Sequence, residues 1–233
     1  MMQPTISNGL NGLNRPAARM DRMYQYTRHI YDVTRAYYLL GRNQLLREIS
    51  HEGAGSVLEV GCGTARNLRR LRGMAPHLAL YGLDASQKML ATAQRKTRPS
   101  MEGRLCLRQG LAETWSPRAT FGRSGPFQVI FFSYVLSMLT RPERALTRAR
   151  RFLARSGRLY IVDFWDQRSW PSPLARALQG WLGLFGVRHR PSVHAFLQNC
   201  GAQPHVRLTK HSIGNRYAYR ACLYRQPEFG AIR

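Results

Sequence analysis

Lysine and acidic residues are scarce in this chain of 233 residues. Lys88, Lys96 and Lys210 are its only lysines, yet Lys+Arg reach 36 against 12 Asp+Glu. Arginine therefore carries nearly all of a net charge of +24. So basic a chain is drawn to polyanions, either nucleic acid or an anionic membrane surface. A GC-rich genome that favours arginine codons would give the same composition. Cysteine is also scarce, at positions 62, 106, 200 and 222, with no C-x-x-C pair and no metal-ligand spacing. That argues against a disulfide framework and a bound metal, and for a reducing, cytoplasmic compartment. No apolar run approaches the roughly 18 residues of a spanning helix. The longest, Val129 to Leu139, is broken by serines. Internal repeats are absent. Residues 1–19 are polar, rich in Gly, Asn and Pro, and without a secretion-signal pattern, so they are expected to form a disordered tail. Residues 20–233 then suit a single α/β domain with additions.

What is present centres on Ser56 to Asn67, SVLEVGCGTARN. Val57, Leu58 and Val60 read as a short buried strand, and Arg66 to Arg72 as the helix after it. Between them, Gly61 and Gly63 permit positive φ and let a ligand approach the backbone. Such a turn between a parallel strand and a helix is a nucleotide site in doubly wound α/β folds. A dinucleotide loop reads G-x-G-x-x-G. Here an acid, Glu59, precedes Gly61-Cys62-Gly63, and Ala65 and Arg66 follow. That E-x-G-x-G form resembles the first motif of class I S-adenosylmethionine-dependent methyltransferases, with Ala65 in place of the usual third glycine. The resemblance implies S-adenosylmethionine as cofactor, the loop packing on its methionine part.

The rest of the chain alternates strands and helices. Leu78 to Leu83 is a strand ending in Asp84, about twenty residues past the glycines, where a ribose-binding carboxylate belongs. The alternative is an N-cap carboxylate only; paired with the glycine loop, ribose is the favoured reading. Ser86 caps a helix over Gln87 to Arg98, whose Met89, Leu90 and Ala93 face the sheet. The resemblance places Ala85 and the Met89 region against the adenine. Leu105 to Gln109 is the third strand, and Leu111 and Ala112 follow where many methyltransferases carry an aspartate for the adenine amine. Their backbone groups are the candidates to read the adenine edge. Ser116 to Gly125 reads as a loop, and Phe127 to Phe132 as the fourth strand. Ligands in these sheets bind beyond the strands' carboxyl ends, which places Ser133, Tyr134 and Ser137 for cofactor, substrate or methyl-group chemistry. Pro142 starts a helix from Arg141 to Ala154. The fifth strand starts at Gly157 and ends at Asp163. His205 to His211 and Tyr217 to Tyr224 form a final antiparallel hairpin. The expected fold is thus a doubly wound, Rossmann-like seven-stranded sheet with a terminal antiparallel hairpin.

Two additions flank it. In residues 20–52, Tyr24, Tyr31 and Tyr38 recur every seven residues with Arg28 and Arg35 between them, one stripe of a helix that Gly41 breaks or kinks. The stripe is either a packing face with snorkelling arginines or a lid over the site. In residues 168–190, Leu174, Leu178, Trp181, Leu182 and Phe185 share a helical face, with Arg188-His189-Arg190 after it. That suits either a helix in a membrane interface or an insertion packed on the core.

R28-H-I-Y-D-V-T-R-A-Y-Y-L-L-G-R42, V-L-E-V-G-C-G-T-A-R-N, F-F-S-Y-V-L-S-M and Y-I-V-D-F together resemble the bacterial diacylglyceryl-homoserine N-methyltransferases of betaine-lipid synthesis. The resemblance covers most of residues 20–225, and Ala65 and Gln128 depart from it. It implies three methyl transfers to the amine of a diacylglyceryl-homoserine lipid, by an enzyme held peripherally on the inner face of the cytoplasmic membrane. His29, Tyr31, Tyr38, Ser133 and Tyr134 are then the catalytic candidates. Arg28, Arg35, Tyr24 and Ser137 are the substrate-binding ones. Glu59, Gly61, Cys62, Gly63, Asp84, Ala85, Leu111, Ala112 and Ser133 would hold the cofactor. Two rivals stand beside it: a methyltransferase of RNA or another small molecule, and a non-catalytic basic domain that binds membranes or nucleic acid.

Overall fold

Ser56–Val60 (β1) is buried at every position, with Val57, Leu58 and Val60 fully sealed, as a central strand of a parallel sheet must be. The computed structural model describes residues 39–97 and 103–226. From the N-terminal side, Arg42–Ser50 (α1) leads into β1. Arg66–Met74 (α2), Ala79–Asp84 (β2), Gln87–Lys96 (α3) and Leu105–Gln109 (β3) follow. Next come Pro117–Phe121 (α4), Phe127–Ser133 (β4), a single 3-10 turn at Leu136–Met138, Pro142–Arg151 (α5) and Leu153–Phe164 (β5). Ser172–Leu184 (α6), Pro191–Gly201 (α7), Val206–Ile213 (β6) and Ala218–Arg225 (β7) complete it. The seven strands run in the order β3-β2-β1-β4-β5-β7-β6. β1 to β5 pair in parallel, whereas β7 pairs antiparallel with β5 on one side and β6 on the other. This is the expected seven-stranded Rossmann-like sheet with its terminal hairpin.

Each face of the sheet has its own apolar layer. On one, Leu45, Leu46 and Ile49 of α1 join Leu68 and Leu71 of α2 and Leu90 and Ala93 of α3. On the other, Ala145, Leu146 and Ala149 of α5 join Val193 and Leu197 of α7. Each leucine so buried contributes on the order of 1.5–3 kcal/mol relative to exposure. The break expected at Gly41 is where α1 begins, with φ 78. A Cβ there would lie 2.3 Å from Ile213 Cδ1, so the position also admits the hairpin close to the chain.

Three local readings need correction. Residues 116–125 are not all loop: Ser116 caps α4 through Ala119 N, and Pro117 occupies its first turn. The fifth strand begins at Leu153, not Gly157, because Leu153 pairs with Phe127 before the register shifts to Arg158 opposite Val129. Gly157 sits in that irregularity, where a Cβ would meet Gln128 O at 2.7 Å. The apolar face of α6 is divided. Leu182 is buried and Leu178 and Phe185 pack on the core, but Leu174 and Trp181 are exposed. Leu184, off that face, is 77% exposed. Gln128, one of the two departures from the resembled pattern, has a job of its own. Its Oε1 accepts from Gly55 N and from Ser56 N, at 3.1 Å, and clamps the start of β1 to β4.

Candidate active site

The glycine loop is held by its own amides. Gly61 N and Cys62 N both donate to Leu83 O, at 2.7 and 3.0 Å, and Ala65 N donates to Cys62 O at 2.9 Å. Gly63 N donates to Asp84 Oδ2 at 2.7 Å. A loop that cradles phosphate points its N–H groups at the ligand; here Gly61, Cys62, Gly63 and Ala65 have committed theirs within the protein. The geometry therefore suits a nucleoside cofactor without a pyrophosphate. Gly61 (φ +77) passes so close to β4's exit that a Cβ would meet Val135 Cγ2 at 2.4 Å. Gly63 (φ +53) borders open space, with no atom within 4 Å of where a Cβ would stand. Ala65 takes the same left-handed conformation (φ 55) despite its methyl, which is fully buried. So the substituted third glycine keeps the glycine-like backbone, at a cost on the order of 1 kcal/mol.

Glu59 and Asp84 brace the loop from both sides. Glu59 is buried and accepts from Asn67 Nδ2 at 2.6 Å, tying β1 to the first turn of α2. Asn67 was not singled out in the sequence, although it closes the same SVLEVGCGTARN stretch. Asp84 stands at the carboxyl end of β2; besides Gly63 N it accepts Ser86 N on Oδ1 at 2.9 Å. Cys62 Sγ turns inward, within 2.8 Å of where a Cβ on Gly82 would stand. Burial, then the Asp84 and Glu59 charges, push its thiol pKa well up, which keeps it neutral. Cys62 thus meets a ligand only through its backbone. Gln109 Nε2 donates to Ala85 O at 3.0 Å, and Gly110 N to Asp84 O at 3.0 Å. These bonds bring Leu111 and Ala112, both half-buried, beside the end of β2.

At the carboxyl end of β4, Ser133 Oγ is sealed from solvent with no hydrogen-bond partner among the described residues. An orphaned hydroxyl at this end of the sheet fits a site that receives a polar ligand. Tyr134 is placed differently from expectation. It has φ 57, is 2% exposed, and its hydroxyl donates to Leu40 O at 2.6 Å. Burial and the Asp163 charge raise its pKa well above the usual tyrosine range. That bond to Leu40 ties β4's exit to the start of α1. Ser137 N donates to Asp163 Oδ2 at 3.0 Å, and Phe164 N to Oδ1 at 2.8 Å. Burial pushes Asp163 up to about 6 against those bonds. The acid at the end of β5 therefore holds the Leu136–Met138 turn in place. Tyr24, Arg28, His29, Tyr31, Arg35 and Tyr38 lie outside the described residues.

The glycine loop, Glu59, Asp84, Ala85, Leu111, Ala112 and Ser133 thus meet at the carboxyl ends of β1 to β4. The methyltransferase-domain family model matches residues 57–157, the stretch that carries them. The plantazolicin methyltransferase BpumL, solved with a triazolic desmethylPZN analog and SAH, superposes with a TM-score of 0.68 at 13% identity, over 93% of this chain and 98% of that one. The fold is that of a class I methyltransferase. An O-methyltransferase family protein from Burkholderia thailandensis shares this methyltransferase fold at a TM-score of 0.63 and 15% identity, over 94% of this chain and 68% of that one. In sequence, a malonyl-[acyl-carrier protein] O-methyltransferase of Paenibacillus sp. (strain JDR-2) is 27% identical over 46% of the chain. A demethylmenaquinone methyltransferase of Thermotoga maritima is 29% identical over 52% of it. The matched stretches span 38% and 47% of those two relatives' own lengths. Among the described residues, no cluster of His, Cys, Asp and Glu could hold a metal ion, and no helix is long and apolar enough to cross a membrane.

Proposed function

We propose that the chain transfers methyl groups from S-adenosylmethionine to a small amphiphilic acceptor. The observation that carries this is the glycine loop, its Gly61, Cys62 and Gly63 amides engaged within the protein and its Gly63 bordering open space, with Asp84 at the tip of β2 and, at the end of β4, a sealed Ser133 hydroxyl without a partner among the described residues. The sulfonium cofactor supplies an activated methyl group. The protein's part is orientation and a dry site. Asp84 binds the ribose, the Gly61–Gly63 backbone flanks the amino-acid portion, and the segment around Leu111 and Ala112 covers the base. An amine acceptor must arrive neutral, because an ammonium has no lone pair. His29, Tyr31 and Tyr38 are the proposed groups around it, with Tyr24 extending the stripe. Tyrosine rings there would stabilise methylated ammonium products by cation–π contact.

For the acceptor itself we favour diacylglyceryl-homoserine at the inner, anionic face of the cytoplasmic membrane. The exposed apolar residues of α6 support a lipid: Leu174 and Trp181 on its divided face and Leu184 beside it are exposed, Arg176 lies on the same helix, and Arg188 follows it. An exposed apolar edge with flanking arginines suits a bilayer interface. A water-soluble acceptor gives that edge no purpose. The test is incubation with radiolabelled S-adenosylmethionine and a lipid extract containing diacylglyceryl-homoserine, with RNA in a parallel tube. Label in a betaine-like lipid is expected. Label in RNA would overturn the acceptor and keep the methyltransferase, and failure to bind the cofactor would overturn both.

A further inference from the structure

Glu59 and Asn67 stand on either side of the glycine loop, one on the strand that enters it and the other on the helix that leaves it. Both are buried, at 1% and 7% exposure. Asn67 Nδ2 donates to Glu59 Oε1 at 2.6 Å, so the two ends of the loop are joined as by a clasp. The amide fits only one way round. Turned over, it would set Oδ1 against the carboxylate, and two acceptors make no bond. Placed as it is, Asn67 Oδ1 is sealed from solvent with no partner among the described residues.

A buried amide with one end unmet lowers stability. An apolar side chain would fill the same space without that loss, as Leu68 and Leu71 do along the same helix. What asparagine adds, and leucine lacks, is the donor to Glu59. A bond to a carboxylate is charge-assisted and directional, so it holds Glu59 in one orientation. A helix cap does not do this work, because the N-cap of α2 is Ala65, in the left-handed conformation and with no side-chain bond. The underside of the loop is closely packed. Gly82 pairs with Glu59 across β1 and β2, and a Cβ on it would fall 2.8 Å from both Cys62 Sγ and Leu68 Cδ1. With the floor filled, the Glu59–Asn67 bond fixes the angle at which α2 leaves the loop.

We propose that Asn67 is a positioning residue for the amino-acid end of the cofactor: acting through Glu59, it holds Gly61–Gly63 in the shape which that end requires. The proposal rests on the methyl-transfer reading. It asks for no contact between Asn67 and the cofactor. The other parts of the cofactor have separate supports. Asp84, assigned there to the ribose, keeps Ser86 N on Oδ1 independently of the loop. The segment around Leu111 and Ala112, assigned to the base, is fixed by Gln109 Nε2 on Ala85 O and by Gly110 N on Asp84 O. Opening the clasp is therefore felt at one end of the cofactor and not at the other. An asparagine that merely propped up the fold would weaken both ends alike.

The test compares two ligands by calorimetry on the full chain. One is S-adenosylhomocysteine. The other is 5′-methylthioadenosine, which keeps the base, ribose and sulfur but lacks the amino-acid end. Asn67→Leu removes the donor and keeps the bulk; Asn67→Ala replaces it if that variant does not fold. S-adenosylhomocysteine affinity is expected to fall about tenfold, the scale of one charge-assisted bond, with 5′-methylthioadenosine affinity unchanged. Glu59→Gln should give a loss of the same kind, and adding Asn67→Leu to it should weaken binding little further, because the two residues act as one unit. Equal weakening of both ligands overturns the proposal, as does unchanged S-adenosylhomocysteine affinity or a double variant whose losses simply add. In each of those cases the wild type still binds and the methyl-transfer reading stands. A wild type that binds neither ligand would sink that reading and the proposal together.

Discussion

Gly61 has no room for a side chain. Its φ of +77 and the 2.4 Å approach to Val135 Cγ2 make Gly61→Ala doubly unfavourable. We expect a destabilisation of about 1–3 kcal/mol from the backbone, with S-adenosylhomocysteine binding lost, read by thermal unfolding and calorimetry. Wild-type affinity in that variant would remove the loop from the site. Tyr134 makes the opposite test. If its hydroxyl only anchors Leu40 O, Tyr134→Phe should cost about 1 kcal/mol and keep methyl transfer; an inactive variant of unchanged Tm would restore a catalytic role. Asp163 gives a pH signature. Its folded value of about 6 lies above the reference 3.8. The native state then holds more protons between those values, so Asp163's own contribution to stability is greatest below about 4 and falls as pH rises to about 6, by on the order of 3 kcal/mol. Denaturant titrations of wild type and Asp163→Asn across that window should differ in slope. Parallel curves would mean that Asp163 does not titrate there.

At the scale of elements, α6 offers a two-sided test. Leu182 is buried and Leu184 is 77% exposed, though they lie on one helix. Leu182→Ala should cost about 2–5 kcal/mol. Leu184→Asp should leave Tm unchanged and reduce binding to anionic vesicles, measured by co-sedimentation. Undiminished vesicle binding would argue against a docking role for the helix. The sequence could not divide this face, because periodicity reports which residues share a side, not how much of it a neighbour covers. Elsewhere the elements were legible because their causes are local. Apolar runs gave β1 and β3 their bounds, and Ser86 and Pro142 marked the starts of α3 and α5. α4 was hidden among turn-forming residues, and β5's early start depends on pairing with β4. The cofactor side of the site was readable from a dozen consecutive residues plus Asp84. The part of Asn67 was not, because the side chain that Glu59 meets depends on the angle at which α2 leaves the loop.

Over the whole molecule, the charge of +24 decides how it meets a partner. Arginines on a surface act through screened electrostatics, with a Debye length of about 8 Å at physiological salt. Vesicle binding should therefore weaken steeply between low and high salt, while S-adenosylhomocysteine affinity, set inside the crevice, stays level. Salt-independent vesicle binding would shift the credit to the apolar edge of α6 alone. The order of the sheet has another consequence, which concerns time. β7 lies between β5 and β6, although β6 is made first. While the ribosome is still translating, β6 emerges with no neighbour to pair with, and β5 presents a bare edge until residues 218–225 arrive. The sheet's antiparallel side is therefore complete only once β7, made after both of its neighbours, lies between them.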